Sequence, residues 1–196
     1  MSDRIYFPIF LDLTGRRCVI VGGGRVAERK CTALIKTGAK VMVISPQITK
    51  RLTDYREKGL IRHIQRGYRR SDIRPAFIVI AATDSEETNK RIANDGLAAD
   101  KLLNVVDTPS LCNFIVPSVV KRGLLTIAIS TGGASPALAK EIRKHLRRMY
   151  GPEYSRHLKY LRGVRSKAMK EITNKKDREK FLKGLAASIN KSSRSK

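Results

Sequence analysis

The run GGGRVAERK, with Gly22, Gly23, Gly24, Arg25, Val26 and Ala27, follows directly on the apolar run Arg17–Val21 (RCVIV) and opens a helical pattern. Read as GxGxxA, Gly22 makes the tight turn, Gly24 lets the backbone approach a pyrophosphate, and Ala27 keeps the helix close to the sheet. The N–H groups at the helix start, and the positive end of its dipole, would hold phosphates. This spacing points to dinucleotide binding. No GxxxxGK[ST] is present, which argues against an ATPase. The acidic residue that normally holds the ribose 2′-hydroxyl about 20 positions further on is missing. The next apolar run ends in Ser45-Pro46-Gln47, so the ribose falls to backbone, Ser45 or Gln47. Lys50 and Arg51 lie nearby, which leaves NAD and NADP both open. At Ala81-Ala82-Thr83-Asp84, small residues would let a nicotinamide ribose lie close and Thr83 hydrogen-bond it. The same residues equally supply a cap for the next helix through Asp84 or Ser85.

These residues need a scaffold that brings them to one edge, and the pattern along the chain supplies it. Arg17–Val21, Lys40–Ile44, Ile61–Arg66, Ala76–Ala81 and Leu102–Val106 read as buried strands. Helical segments separate them, one from the glycine run to about Thr37, one near Thr49–Lys58 and one over Ser85–Ala98. Strands spaced by helices of this length predict a parallel sheet with crossovers, a Rossmann-like doubly wound α/β fold with its ligand at the strands' carboxyl ends. After Asp107 the pattern changes to Ile115–Val120, then a strand over Leu124–Ser130, the punctuation TGGASP and an amphipathic basic helix over Ala137–Tyr150. Glu153–Ala187 reads as two further helices. The domains expected are an NAD-binding domain over 1–113, a small α+β segment over 114–150, a helical domain over 151–190 and a frayed tail over 191–196.

With 41% apolar and 30% charged residues, the chain can build a core and is not wholly disordered. No apolar run approaches the roughly 18 residues of a membrane span, and MSDRIYFPIF lacks a signal-peptide pattern. Cys18, Cys31 and Cys112 make neither a disulfide framework nor a zinc motif, so a cytoplasmic setting is expected. The formal charge is +24, with 18 basic and 4 acidic side chains after residue 142. Such a field attracts polyanions. One reading is a NAD-sensing regulator whose basic helical arm binds nucleic acid. The lack of a helix-turn-helix sequence and the 6% aromatic content weigh against it.

Five ordered segments, IVGGGRVAERK, GAKVMVISP, IAATDSEETN, NVVDTPSLCNFIVPSVV and ISTGGASPALAKEIR, closely resemble the precorrin-2 dehydrogenase and sirohydrochlorin ferrochelatase family, the N-terminal module of siroheme synthases. The resemblance covers about residues 5–150. It implies a homodimer with 114–150 as dimerisation segment, and oxidation of precorrin-2 to sirohydrochlorin by NAD, with Fe2+ insertion as a further expectation. It implies cofactor contacts at Gly23, Gly24, Arg25, Val26, Pro46, Gln47 and around Thr83, and puts the family's functional aspartate on Asp107. That residue is then a general base or orients the macrocycle N–H groups, although Asp107-Thr108-Pro109 is also ordinary turn chemistry. Asn113 and Phe114 become substrate candidates, with core packing the alternative for Phe114. Thr131 and Gly132 precede a helix start and could bind a propionate, or simply lead into a helix capped by Ser135. The substrate so implied is strongly anionic, which gives the basic charge a use without nucleic acid. No permanent metal-ligand spacing links Asp107, His63, His145, His157 and Cys112, and His145 and His157 read as members of a solvated basic face.

Overall fold

A parallel sheet covered on both faces needs strands that are apolar throughout, and the short Val- and Ile-rich runs meet that need. In a computed structural model describing residues 4–194, with side chains over 4–188, they form β1 (Arg17–Val21), β2 (Lys40–Ile44), β3 (Ile61–Ile64), β4 (Ile78–Ala81) and β5 (Leu102–Val105). All pair in parallel in the order β3-β2-β1-β4-β5. Helices α1 (Arg25–Ile35), α2 (Lys50–Glu57) and α3 (Glu86–Ala98) join them. The architecture is Rossmann-like and doubly wound. Strand order reverses between β1 and β4, so a crevice opens at their carboxyl ends.

Alternation along each strand divides the core in two. Cys18 and Ile20 of β1 pack with Ala27, Cys31 and Leu34 of α1 and Leu52 of α2. Val19 and Val21 pack on the other face with Tyr68 and with Ile92 and Ala93 of α3. All three cysteines are free and buried. Burial pushes the thiols of Cys18 and Cys31 up to about 11.

Several elements are shorter than the sequence pattern suggests, for local reasons. β3 stops at Ile64, because the Arg66 N–H turns back to the Ile64 carbonyl. The Arg66 guanidinium then pairs with both carboxylate oxygens of Asp72, at 2.7 and 2.8 Å. Helix α3 starts after Ser85, whose hydroxyl accepts from the Thr88 N–H at 3.1 Å. Helix α1 ends at Ile35, and Gly38 at φ +77° reverses the chain.

A second compact unit begins at Pro117. β6 (Ser118–Arg122) and β7 (Leu125–Ile129) form an antiparallel hairpin, followed by α4 (Pro136–Met149), α5 (Glu153–Glu171) and α6 (Lys175–Arg194). Ser135 caps α4 by accepting from the Leu138 N–H at 3.1 Å, with Pro136 in the first turn. At the other end of α4, Arg122 donates to the carbonyls of Tyr150 at 2.9 Å and Arg147 at 3.1 Å, satisfying orphaned groups. His157 departs from the solvated face expected of it. It is half-buried and edge-on to Tyr154, at 5.8 Å between ring centres, because α5 turns that side inward. Of the segment 191–196, expected to fray, helix α6 covers residues to Arg194, and 195–196 lie outside the described residues.

Candidate functional site

Two of the three glycines after β1 are required by the protein's own packing. Gly22 has φ +118°, and a Cβ there would collide with the Ala82 carbonyl beyond β4. A Cβ on Gly23 would strike the Gln47 carbonyl and approach Ser45 Oγ to 2.8 Å. The Gly23 carbonyl also accepts from the Thr49 N–H at 3.0 Å, fastening the β1 turn to the start of α2. Gly24 is different. Its φ of −80° suits any residue, and no heavy atom lies within 4 Å of where its Cβ would stand.

Gly24 is also the N-cap of α1, and it brings no side chain to bond the first-turn N–H groups at Arg25, Val26 and Ala27. Thr49, Ser85 and Ser135 each cap their helices with a hydroxyl. Helix α1 therefore presents uncapped donors and its positive dipole end beside open space, an arrangement suited to phosphate.

The space is a crevice of about 710 Å³ lined by Gly22, Gly23, Gly24, Ser45, Pro46, Gln47 and Thr83, so the fold gathers these sequence-derived candidates. That volume lies in the range of roughly 300–1,000 Å³ usual for small-molecule sites. Ser45 is nearly buried, and its carbonyl is 2.9 Å from His63 Nε2. The Thr83 hydroxyl is held by Asn89 Oδ1 at 2.8 Å and the Ser85 carbonyl at 3.1 Å. Asp84 and Ser85 line the crevice too, and Ser85 is the residue that caps α3.

Sequence reasoning missed Tyr68, Thr88 and Arg91, which line the crevice from the loop after β3 and from α3. The Arg91 guanidinium sits 5.4 Å from the Tyr68 ring centre and donates to the Tyr68 carbonyl at 3.2 Å. Burial and the neighbouring Asp95 carboxylate, 2.9 Å from the hydroxyl, hold the Tyr68 phenol protonated well above its usual range. Ser85, Thr88 and Arg91 recur every third residue on one helix face, a signal visible in the sequence once the helix start is known. Arg51, near the expected ribose position, is turned away toward Tyr55 Oη at 3.0 Å and Glu28 at 3.9 Å. With a bare backbone cradle, uncapped donors and one fixed cation, this set of groups fits a dinucleotide.

The other candidates lie elsewhere. Asp107 stands past β5, exposed, in the left-handed region at φ +59°, and is not among the crevice-lining residues. The turn that carries it is tied down by Cys112, whose sulfur accepts from the Val105 N–H at 3.1 Å and donates toward the Val105 carbonyl at 3.2 Å. Arg4 adds donations to the carbonyls of Cys112 at 2.7 Å and Ser110 at 3.0 Å. The Asn113 amide is spent on β5, accepting from the Leu103 N–H and donating to the Lys101 carbonyl, both at 2.7 Å. That is a structural use of a residue expected to meet substrate. Phe114 is half-buried against the α1-side core, as in the packing alternative. In the second unit, Thr131 closes a loop with Ser135, donating to its carbonyl at 3.0 Å. Gly132 has φ +62° and its N–H donates to Ser130 Oγ at 3.1 Å. No group of three His, Cys, Asp or Glu side chains among the described residues converges on one point.

An NAD(P)-binding family model matches residues 9–118, and one for the central part of sirohaem biosynthesis proteins matches 122–149. A siroheme synthase of Nitrosococcus oceani is 38% identical over 186 residues, 93% of this chain and 40% of the relative. One of Methylobacillus flagellatus is 41% identical over 149 residues, 76% of this chain and 32% of the relative. The chain thus spans about 40% or less of the length of these curated relatives. The solved structure of SirC, precorrin-2 dehydrogenase, superposes with a TM-score of 0.82 at 28% identity, covering 92% of this chain and 89% of that one.

Proposed function

The chain belongs to the NAD(P)-binding family, and from that premise we propose that it is a dehydrogenase that oxidises precorrin-2 to sirohydrochlorin with NAD+. The observation that carries this reading is the open space over Gly24 at the uncapped start of α1. The likeness to SirC over nearly the full length of both chains supports the substrate. Neither matched family is a nucleic-acid-binding module, so the basic tail of the chain gains no support as a regulator's arm.

NAD+, when bound, accepts a hydride, and the oxidation also releases a proton. The N–H groups of the first turn of α1 hold the pyrophosphate, with Arg25 and Val26 contributing theirs. Ser45, Pro46 and Gln47 receive the ribose at the end of β2, and the loop at Thr83 borders the other half. Asp107, at the carboxyl edge of β5, accepts the proton directly or through one water. Thr131 and Gly132, in the loop before α4, are the candidates for binding a propionate. The active form is a homodimer joined through 114–150, where Val119 on β6 and Leu124 in the hairpin turn leave apolar surface exposed. Three free buried thiols suit a reducing cytoplasm.

Anaerobic turnover of precorrin-2 with NAD+, followed by NADH absorbance, tests the reading. Asp107→Ala is expected to lower kcat about a hundredfold while NADH affinity stays within about twofold. Equal rates in the two proteins remove Asp107 from the mechanism, and no turnover in the wild type removes the function.

A further inference from the structure

A half-buried cation is costly unless an anion or several acceptors meet it. Within residues 4–116, three cations are half-buried: Lys30, Arg66 and Lys101. Arg66 has its two-pronged pair with Asp72. Lys101 donates to the Arg74 carbonyl at 3.0 Å. Lys30 has a single long hydrogen bond, 3.4 Å to Asn104 Oδ1, and no salt bridge among the described residues.

An ammonium offers three donors, so most of the bonding capacity of Lys30 is unspent. Its partner among the described residues spends its own donors elsewhere. Asn104 is buried, and its amide donates to the Phe114 carbonyl at 3.2 Å and toward Cys112 Sγ at 3.7 Å. The charged and titratable groups bearing on Lys30 work in opposite senses. Burial, then the adjacent Arg29, hold its pKa below the ordinary lysine value, while Cys112 and Asp107 favour the ammonium. The balance leaves a charge that is only partly compensated.

Its position gives that charge a purpose. Alternation along β5 turns Asn104 to the face covered by α1, so Lys30 reaches the strand that leads into Asp107. The end of β2 takes the adenosine ribose in this architecture. The β4–β5 side is therefore the half over which the substrate ring must lie.

We propose that Lys30 receives one carboxylate of the anionic tetrapyrrole and so fixes the ring at the Asp107 end of the sheet. This assignment rests on the precorrin-2 reading above. A carboxylate at Nζ completes the donors that Asn104 leaves unmet and supplies the missing counter-charge. It also anchors one edge of the ring beside the proton acceptor.

Lys30→Met, Lys30→Gln and Lys30→Arg test it through three readouts: NADH binding, sirohydrochlorin binding by absorbance titration, and steady-state oxidation of precorrin-2. The neutral variants are expected to raise the sirohydrochlorin Kd and the precorrin-2 KM about tenfold or more, with NADH affinity within about twofold. Lys30→Arg is expected to recover KM to within about threefold of wild type, because it restores the charge. Unchanged Kd and KM in the neutral variants overturn the proposal. So does a loss that arginine fails to recover, or a parallel loss of NADH binding in both neutral variants, since either makes Lys30 a residue of the fold. A wild-type protein that binds NADH yet neither binds sirohydrochlorin nor oxidises precorrin-2 defeats the functional reading itself.

Discussion

Gly22 and Gly24 sit two residues apart and fail for opposite reasons when substituted. At Gly22 a Cβ meets the Ala82 carbonyl in a backbone conformation that L-residues rarely adopt. Gly22→Ala is expected to lower the urea midpoint by an amount equivalent to about 2 kcal/mol or more. At Gly24 the backbone is ordinary and the surroundings empty, so Gly24→Val should unfold within about 1 kcal/mol of wild type while NADH binding weakens about tenfold or more. Equal loss of stability in both variants would contradict this division. The glycine spacing was legible in the sequence because strand, turn and helix start are contiguous there. Tyr68 and Arg91 were not, since their meeting depends on which helix packs beside the loop after β3. The structural use of Asn113 was hidden for a related reason. Nothing local reveals that its amide would be consumed by a strand ten residues away.

Among the elements, the loop after β3 is held by the ion pair of Arg66 with the buried Asp72, beside a more exposed Arg70–Asp95 contact at 3.4 Å. Asp72 is buried, receives two donations from Arg66 and one from the Arg69 N–H, and its pKa is lowered by them. A carboxylate depressed in the folded state stabilises it fully above the unfolded pKa, near 3.8. That contribution disappears as pH falls through the lower folded value. Asp72→Asn is therefore expected to cost about 2 kcal/mol at pH 7, discounted for the partial exposure of Arg66, and much less near pH 2. Urea melts of both proteins at the two pH values measure it, and a pH-independent difference would count against the ion pair. The strands themselves were readable because doubly buried strands carry uninterrupted apolar runs. Their ends were not, as at Arg66, where a side-chain pairing decides the stop. Helix starts fared better, since Ser85 and Ser135 are hydroxyl caps that the sequence displays openly.

At the scale of the molecule, charge is the dominant fact: +24 overall, with 14 of those net charges after residue 142. Long-range attraction of this kind is screened over about 10 Å at 0.1 M salt. Raising KCl from about 50 to about 500 mM is expected to raise the KM for precorrin-2 about fivefold, and that for NAD+ by less than about twofold. A substrate KM indifferent to salt would deprive the basic surface of a steering role. Composition announced this property but could not assign it, because net charge carries no address. The same scale gives the small amide at Asn113 a wider meaning. β5 closes one flank of an Ile- and Val-rich sheet, and the Leu103 N–H and carbonyl that would recruit a sixth strand are already engaged by Asn113. Asn113, through its amide and its own N–H, and Cys112, through its sulfur on Val105, thus act as a terminus for sheet growth, and the apolar edge strand is carried with that border sealed.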